Sequence, residues 1–176
     1  MSSDHIRKWD ERYRNGEKLR EEPSPLVVEF TRDLAPGRAL DLACGPGRHA
    51  LYLAERGWRV AAVDGAPAAI ELLRARAKRS NLAIEARLAD LEAGGFEFPV
   101  EAFDLVVCCL YLQRDLIPKM KRALRPAGIV IMTALPGEAA TPTRVVSGEL
   151  QAMFTGWRVL HYGDGEGLAE IVAQVL

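Results

Sequence analysis

Residues 38–50 read RALDLACGPGRHA, and their reading decides the fold. An apolar run carrying Asp41 passes through Ala43, Cys44, Gly45, Pro46 and Gly47 into a segment of helix formers that starts at Arg48. A strand that ends in a glycine-rich turn and opens a helix lets the backbone approach a ligand closely and aims amide N–H groups at it. Gly45-Pro46-Gly47-Arg48-His49-Ala50 also satisfies the G-x-G-x-x-A spacing of dinucleotide-binding turns. Asp41 changes that reading. A carboxylate at the mouth of the turn repels a pyrophosphate and suits a ligand with cationic centres.

Outward from this stretch, strands and helices alternate. Trp58–Val63 reads as a second strand ending at Asp64, and Pro67 opens a helix that runs to about Arg79. Leu82–Leu88 alternates apolar and polar positions, as an edge strand does. Ala102–Cys109 and Gly128–Leu135 are apolar runs expected as buried strands, with a helix over about Asp115–Leu124 between them. A short helix near Gly148–Phe154 precedes Trp157–Tyr162 and Leu168–Leu176, which are joined so closely that they can pair only antiparallel. The expected fold is α/β: a Rossmann-like, doubly wound, mostly parallel sheet of seven strands closed by an antiparallel C-terminal hairpin. The 176 residues fit one domain, with a helical cover over residues 1–37 and a ligand-binding core over 38–176. In the cover, Ser24 and Pro25 stand as N-cap and first helical residue of the second helix.

Composition narrows the function classes. With Lys+Arg at 23 and Asp+Glu at 24, the chain has no electrostatic footprint for nucleic acid. No stretch is apolar enough to cross a membrane, and the polar start MSSDHIRKWDERYR is no signal peptide. Cys44, Cys108 and Cys109 lack redox or zinc spacing, so no metal and a reducing, cytoplasmic setting are expected.

In such a sheet the ligand lies beyond the carboxyl ends of the central strands. Asp41 and the turn end the first strand. Asp64, followed by Gly65, ends the second, where a carboxylate can accept from both hydroxyls of a ribose. Asp90 and Leu91 follow the third strand, where the acid can meet an adenine amino group or simply cap a turn. Cys108 ends the fourth, where its carbonyl can meet an ammonium. S-adenosylmethionine (SAM) combines an ammonium, a sulfonium, a carboxylate, a ribose and an adenine, and carries no phosphate.

ALDLACGPGRHALYLA, VAAVD and FDLVVCCLYLQRDLIPKMKRALRPAGIVIM resemble the ordered motifs of class I SAM-dependent methyltransferases. WDERYRNGE, EEPSPLVVEF and GELQAMFTGWRVLHY resemble the small TehB-like, tellurite-resistance group. The resemblance implies that Ala43 to Gly47 wrap the methionine part of SAM, that Asp64 holds the ribose, Asp90 and Leu91 the adenine, and the Cys108 backbone the amino group. Ala43 stands where the family's first turn glycine sits, which implies a position that needs no positive φ. The tellurite group's histidine and arginine residues have no secure counterparts after the fifth strand. The implied function is methyl transfer from SAM, leaving S-adenosylhomocysteine, to a small acceptor such as a thiol, a metalloid or another soft nucleophile. Trp9, Tyr13 and Tyr111 are candidates for the acceptor pocket, and no catalytic base stands out. An NAD(P)-dependent oxidoreductase and a non-catalytic SAM-binding protein are the alternatives. Oligomeric state is not legible.

Overall fold

The computed structural model of the chain describes residues 3–17, 20–165 and 167–176. They pack as two compact units, residues 1–97 and 98–176.

In the first unit, α1 (Ser3–Arg14) and α2 (Pro25–Thr31) precede β1 (Arg38–Leu42), α3 (Arg48–Glu55), β2 (Arg59–Asp64), α4 (Pro67–Arg79) and β3 (Ile84–Leu88). β1 pairs with β2 and β2 with β3, all parallel, so each helix between them is a crossover. The signals at the start of α2 act as expected: Pro25 lies in the first turn, and the Ser24 hydroxyl accepts the Val27 N–H at 3.3 Å. β1 and β2 are buried along nearly their whole length, whereas β3 is mostly exposed and pairs with β2 alone among the described strands. That is the edge character its alternation predicts.

The second unit holds β4 (Phe103–Cys109), α5 (Leu116–Ala123), β5 (Leu124–Pro136), β6 (Arg144–Val145), α6 (Glu149–Ala152), β7 (Arg158–Asp164) and β8 (Ala169–Gln174). β4 and β5 pair parallel, and β5, β8 and β7 pair antiparallel in that order. Leu105, Val106 and Val107 have no solvent exposure, and each contributes about 1.5–3 kcal/mol by burial. The chain is thus Rossmann-like α/β, mostly parallel and finished by the antiparallel hairpin, with eight strands instead of seven. The additional strand is β6, two residues that pair with the end of β5.

β5 also begins four residues earlier than Gly128. Leu124 pairs with Phe103, the register shifts, and Ile129 then pairs with Leu105. The Arg125–Gly128 stretch is a bulge within the strand, with Ala127 at φ +61°.

Candidate active site

The turn after β1 is held from three sides within the first unit. Cys44 N–H donates to the Val63 carbonyl at 3.0 Å, extending the ladder with β2 past the end of β1. Gly45 N–H donates to Asp64 Oδ2 at 2.8 Å. From α4, the Arg76 guanidinium donates to the Pro46 carbonyl at 3.2 Å. Gly45 and Gly47 take positive φ, as the turn requires. So does Ala43, at φ +51°. The expectation that this position needs no positive φ is therefore corrected: the turn keeps its left-handed geometry and an alanine bears the strain.

Gly47 is a packing glycine. A Cβ there would stand 2.2 Å from Leu73 Cδ1 of α4, a side chain without solvent exposure.

Each carboxylate of the site has a defined partner. Asp41, 1% exposed, accepts the Ala50 N–H at 3.1 Å. Ala50 is the third residue of α3, whose own N-cap is Gly47 and offers no side chain. Asp41 therefore caps α3 from inside β1. Burial pushes its pKa up to about 7; the Ala50 amide and the Arg48 charge oppose that, and the Asp64 charge adds to it. Asp64 accepts from Gly45 through one oxygen, from Ala66 at 2.8 Å through the other, and from the Gly65 amide. Burial raises its pKa as well, against those three amides. Burial, then the charges of Asp41 and Asp64, hold the Cys44 thiol neutral.

Above the turn lies α1. A Cβ built on Gly45 would stand 3.0 Å from the Tyr13 hydroxyl, and one on Gly65 would stand 2.9 Å from Ile6 Cδ1. Trp9 stacks on Tyr13 with ring centroids 5.7 Å apart, and the Arg12 guanidinium lies 4.3 Å from the Trp9 ring centre. Burial and the neighbouring Asp64 charge raise the Tyr13 pKa, so the phenol stays protonated through the neutral range. Tyr13 is a donor there, not a base.

Asp90 Oδ1 accepts the Glu92 and Ala93 amides at 2.9 and 3.2 Å, the geometry of a turn cap, and Leu91 is buried beside it. In the second unit, Cys108 is buried at the end of β4 with its thiol toward the Tyr111 carbonyl at 3.7 Å. The Tyr111 hydroxyl donates to Gln113 Oε1 at 2.7 Å. Arg114 braces the segment beyond β5, donating to Glu149 Oε1, the Thr141 carbonyl and the Arg144 carbonyl. Among the described residues no three His, Cys, Asp or Glu side chains gather as metal ligands, and no helix is long and apolar enough to cross a membrane.

Asp10, Arg76 and Arg114 are absent from the residues singled out by sequence. Each acts on backbone groups far along the chain, and no local spacing announces such a contact.

A buried acid thus stands at the end of β2, beside a glycine turn that opens a helix. Residues 39–128 match the methyltransferase domain family, and the chain belongs to that family, the class I SAM-dependent methyltransferases. Within the class it is similar to the TehB group. The probable SAM-dependent methyltransferase TehB of Haemophilus influenzae is 26% identical over 151 residues, 80% of this chain and 53% of that protein. A protein named hemagglutinin 1 from Eikenella corrodens is 29% identical over 152 residues, 81% of this chain and 51% of that one. The chain thus spans about half the length of these curated relatives. The crystal structure of TehB from Haemophilus influenzae superposes with a TM-score of 0.78 at 23% identity, over 95% of this chain and 67% of that one.

Proposed function

We propose that this chain transfers the methyl group of SAM to a small soft nucleophile in the cytoplasm, as one methyltransferase domain whose first 37 residues cover the cofactor site. The observation that carries the reading is the pairing of Asp64 with the Gly45 turn, in a chain of the methyltransferase family. The residues fit such a cofactor. Gly45 and Gly65 carry no Cβ on the faces that Tyr13 and Ile6 approach, and a buried carboxylate stands between them. Three free cysteines accord with a reducing compartment.

When bound, SAM supplies a methyl already activated by its sulfonium, so the protein's share is positioning and exclusion of water. The turn from Ala43 to Gly47 receives the methionine part, with Asp41 fixing the turn from beneath through α3. Asp64 accepts from the ribose hydroxyls beside Gly65. Asp90 and Leu91 border the adenine, and the Cys108 carbonyl takes the ammonium. The protonated Tyr13 hydroxyl stands beside the turn as an available donor, with Trp9 stacked on its ring. Tyr111 serves the acceptor side. No side chain is assigned as a base, which suits acceptors that are already anionic or carry lone pairs of low basicity.

The test is calorimetric titration with SAM, S-adenosylhomocysteine and NAD, followed by transfer of labelled methyl to thiols, halides, metalloid oxyanions and small amines. Binding of the first two ligands without NAD, and labelling of one acceptor class, is the expected result. Binding of NAD alone would establish the oxidoreductase reading. Tight SAM binding with no acceptor labelled would favour the non-catalytic one.

A further inference from the structure

The start of α4 poses a problem that its own sequence does not solve. Its N-cap is Ala66, which has no side-chain acceptor. Pro67 follows and has no N–H, so Ala68 carries the first amide of the helix. The next two amides, Ala69 and Ile70, donate to the Ala66 carbonyl at 3.1 and 3.3 Å. Ala68 is buried, and an unmet amide there would be costly.

The acceptor comes from α1. Asp10 Oδ1 receives the Ala68 N–H at 2.7 Å, across 58 positions of sequence. The other oxygen, Oδ2, receives Arg14 Nε at 2.7 Å. The charge of Glu71, on α4, acts favourably on Arg14 in turn. A chain of charge-assisted contacts thus runs from the α4 backbone through Asp10 and Arg14 back toward α4. Asp10 also sits between the two apolar contacts of α1. Ile6, Asp10 and Tyr13 recur at steps of four and three and share one helix face. Ile6 meets Gly65 and Tyr13 meets Gly45, the two bare backbone faces of the site.

We infer that Asp10 is a positioning residue: by capping α4 in place of that helix's own N-cap, it latches α1 over the carboxyl ends of β1 and β2 and sets Tyr13 on the glycine turn. An apolar contact such as Ile6 on Gly65 is non-directional, whereas the carboxylate bound to the Ala68 amide adds a contact with a set distance and direction. Release of the latch exposes a buried amide and the half-buried Tyr13 ring together. Opening and closing of α1 over the site is therefore a two-state event with Asp10 at its centre.

Trp9 gives a direct readout, because Trp58 and Trp157 are buried and Trp9 is only half-buried against Tyr13. In Asp10→Ala, acrylamide quenching of tryptophan emission should rise, and the KM for SAM should increase about tenfold to a hundredfold, the scale of one charge-assisted hydrogen bond. The cooperative melt should be retained. Asp10→Asn keeps an oxygen for the Ala68 N–H and loses only the Arg14 pairing, so it should restore most of the docking; Arg14→Ala should behave like it. In the unmodified protein, the Ala68 amide should exchange with deuterium at the same protection as the amides of α1, since one opening exposes both. This last measurement stands even if Asp10→Ala fails to fold. Unchanged Trp9 quenching in Asp10→Ala, or an Ala68 amide protected far beyond α1, would overturn the latch. The KM arm rests on the methyl-transfer reading, whereas the quenching and exchange arms do not, so failure of one is distinguishable from failure of the other.

Discussion

The Asp64 carboxylate accepts the Gly45 N–H at 2.8 Å, and this single contact joins the end of β2 to the turn that follows β1. The same carboxylate also accepts the Gly65 and Ala66 amides, so it organises the site before any ligand arrives. Asp64→Ala therefore has two consequences. It removes the ribose acceptor, with an expected loss of about tenfold to a hundredfold in SAM affinity. It also leaves buried amides unmet, each costing about 1–3 kcal/mol, so the melting temperature should fall as well. Asp64→Asn retains one oxygen and should lose less stability. Calorimetry and thermal melts on both variants check this, and an unchanged SAM dissociation constant would remove Asp64 from the site.

Ala43 holds φ +51° with a Cβ that glycine would lack. Ala43→Gly should relieve about 1–2 kcal/mol of left-handed strain. The greater freedom of glycine in the unfolded chain takes back about 0.5–1 kcal/mol. Relief wins by this arithmetic, and urea denaturation should show a modest gain in stability. A loss of about 1 kcal/mol would mean that the unfolded-state effect acts alone and the turn bears no strain at Ala43.

Gly45 and Gly47 look equivalent in the motif and differ in their surroundings. At Gly45 an added Cβ meets the hydroxyl end of Tyr13, which can swing away. At Gly47 it meets Leu73, packed without exposure in α4. Gly45→Ala should cost about 1–2 kcal/mol, the strain at positive φ. Gly47→Ala should cost about 1–3 kcal/mol more, from overpacking. Urea melts compare the two directly. Equal losses would show that the Leu73 contact can relax.

What was legible in the sequence was what local chemistry specifies. Ser24-Pro25 and Pro67 mark helix starts because a cap hydroxyl or a fixed φ acts within a few residues. The closing hairpin follows from the shortness of its connection. The place of Asp41 and Asp64 beside the glycine turn was legible, and the capping of α3 by Asp41 was not. Gly47 and Ala66 stand at the N-caps of α3 and α4, so both caps arrive from other elements. The start of β5 was misplaced for a related reason. Pro126 and Gly128 are residue types that interrupt strands, but the ladder with β4 tolerates a bulge and resumes at Ile129.

Buried groups of opposite sign shape the pH dependence of stability. His49, 3% exposed, accepts the Ser24 N–H through Nε2 at 3.2 Å. Burial, with the neighbouring Arg48 charge, holds its pKa down at about 3, against an ordinary value of 6.5. Between those values the unfolded chain binds a proton that the folded chain refuses, so His49 makes stability rise with pH and is lost as pH falls toward 3. Asp41 runs the other way. Its pKa is pushed up to about 7 from 3.8, so between these values the folded chain holds a proton the unfolded chain releases, and stability falls as pH rises. In the shared window the two slopes, each at most about 1.4 kcal/mol per pH unit, nearly cancel. His49→Gln keeps an acceptor for Ser24 and removes the rising term, so its stability relative to the parent should decline steadily from about pH 4 to 6.5. Asp41→Asn should show the mirror image. Asp64, also raised, acts in the same direction as Asp41 and drops out of the His49→Gln difference. Urea denaturation at three pH values across the window decides the matter. A His49→Gln difference that does not vary with pH would mean that the imidazole is not held neutral in the fold.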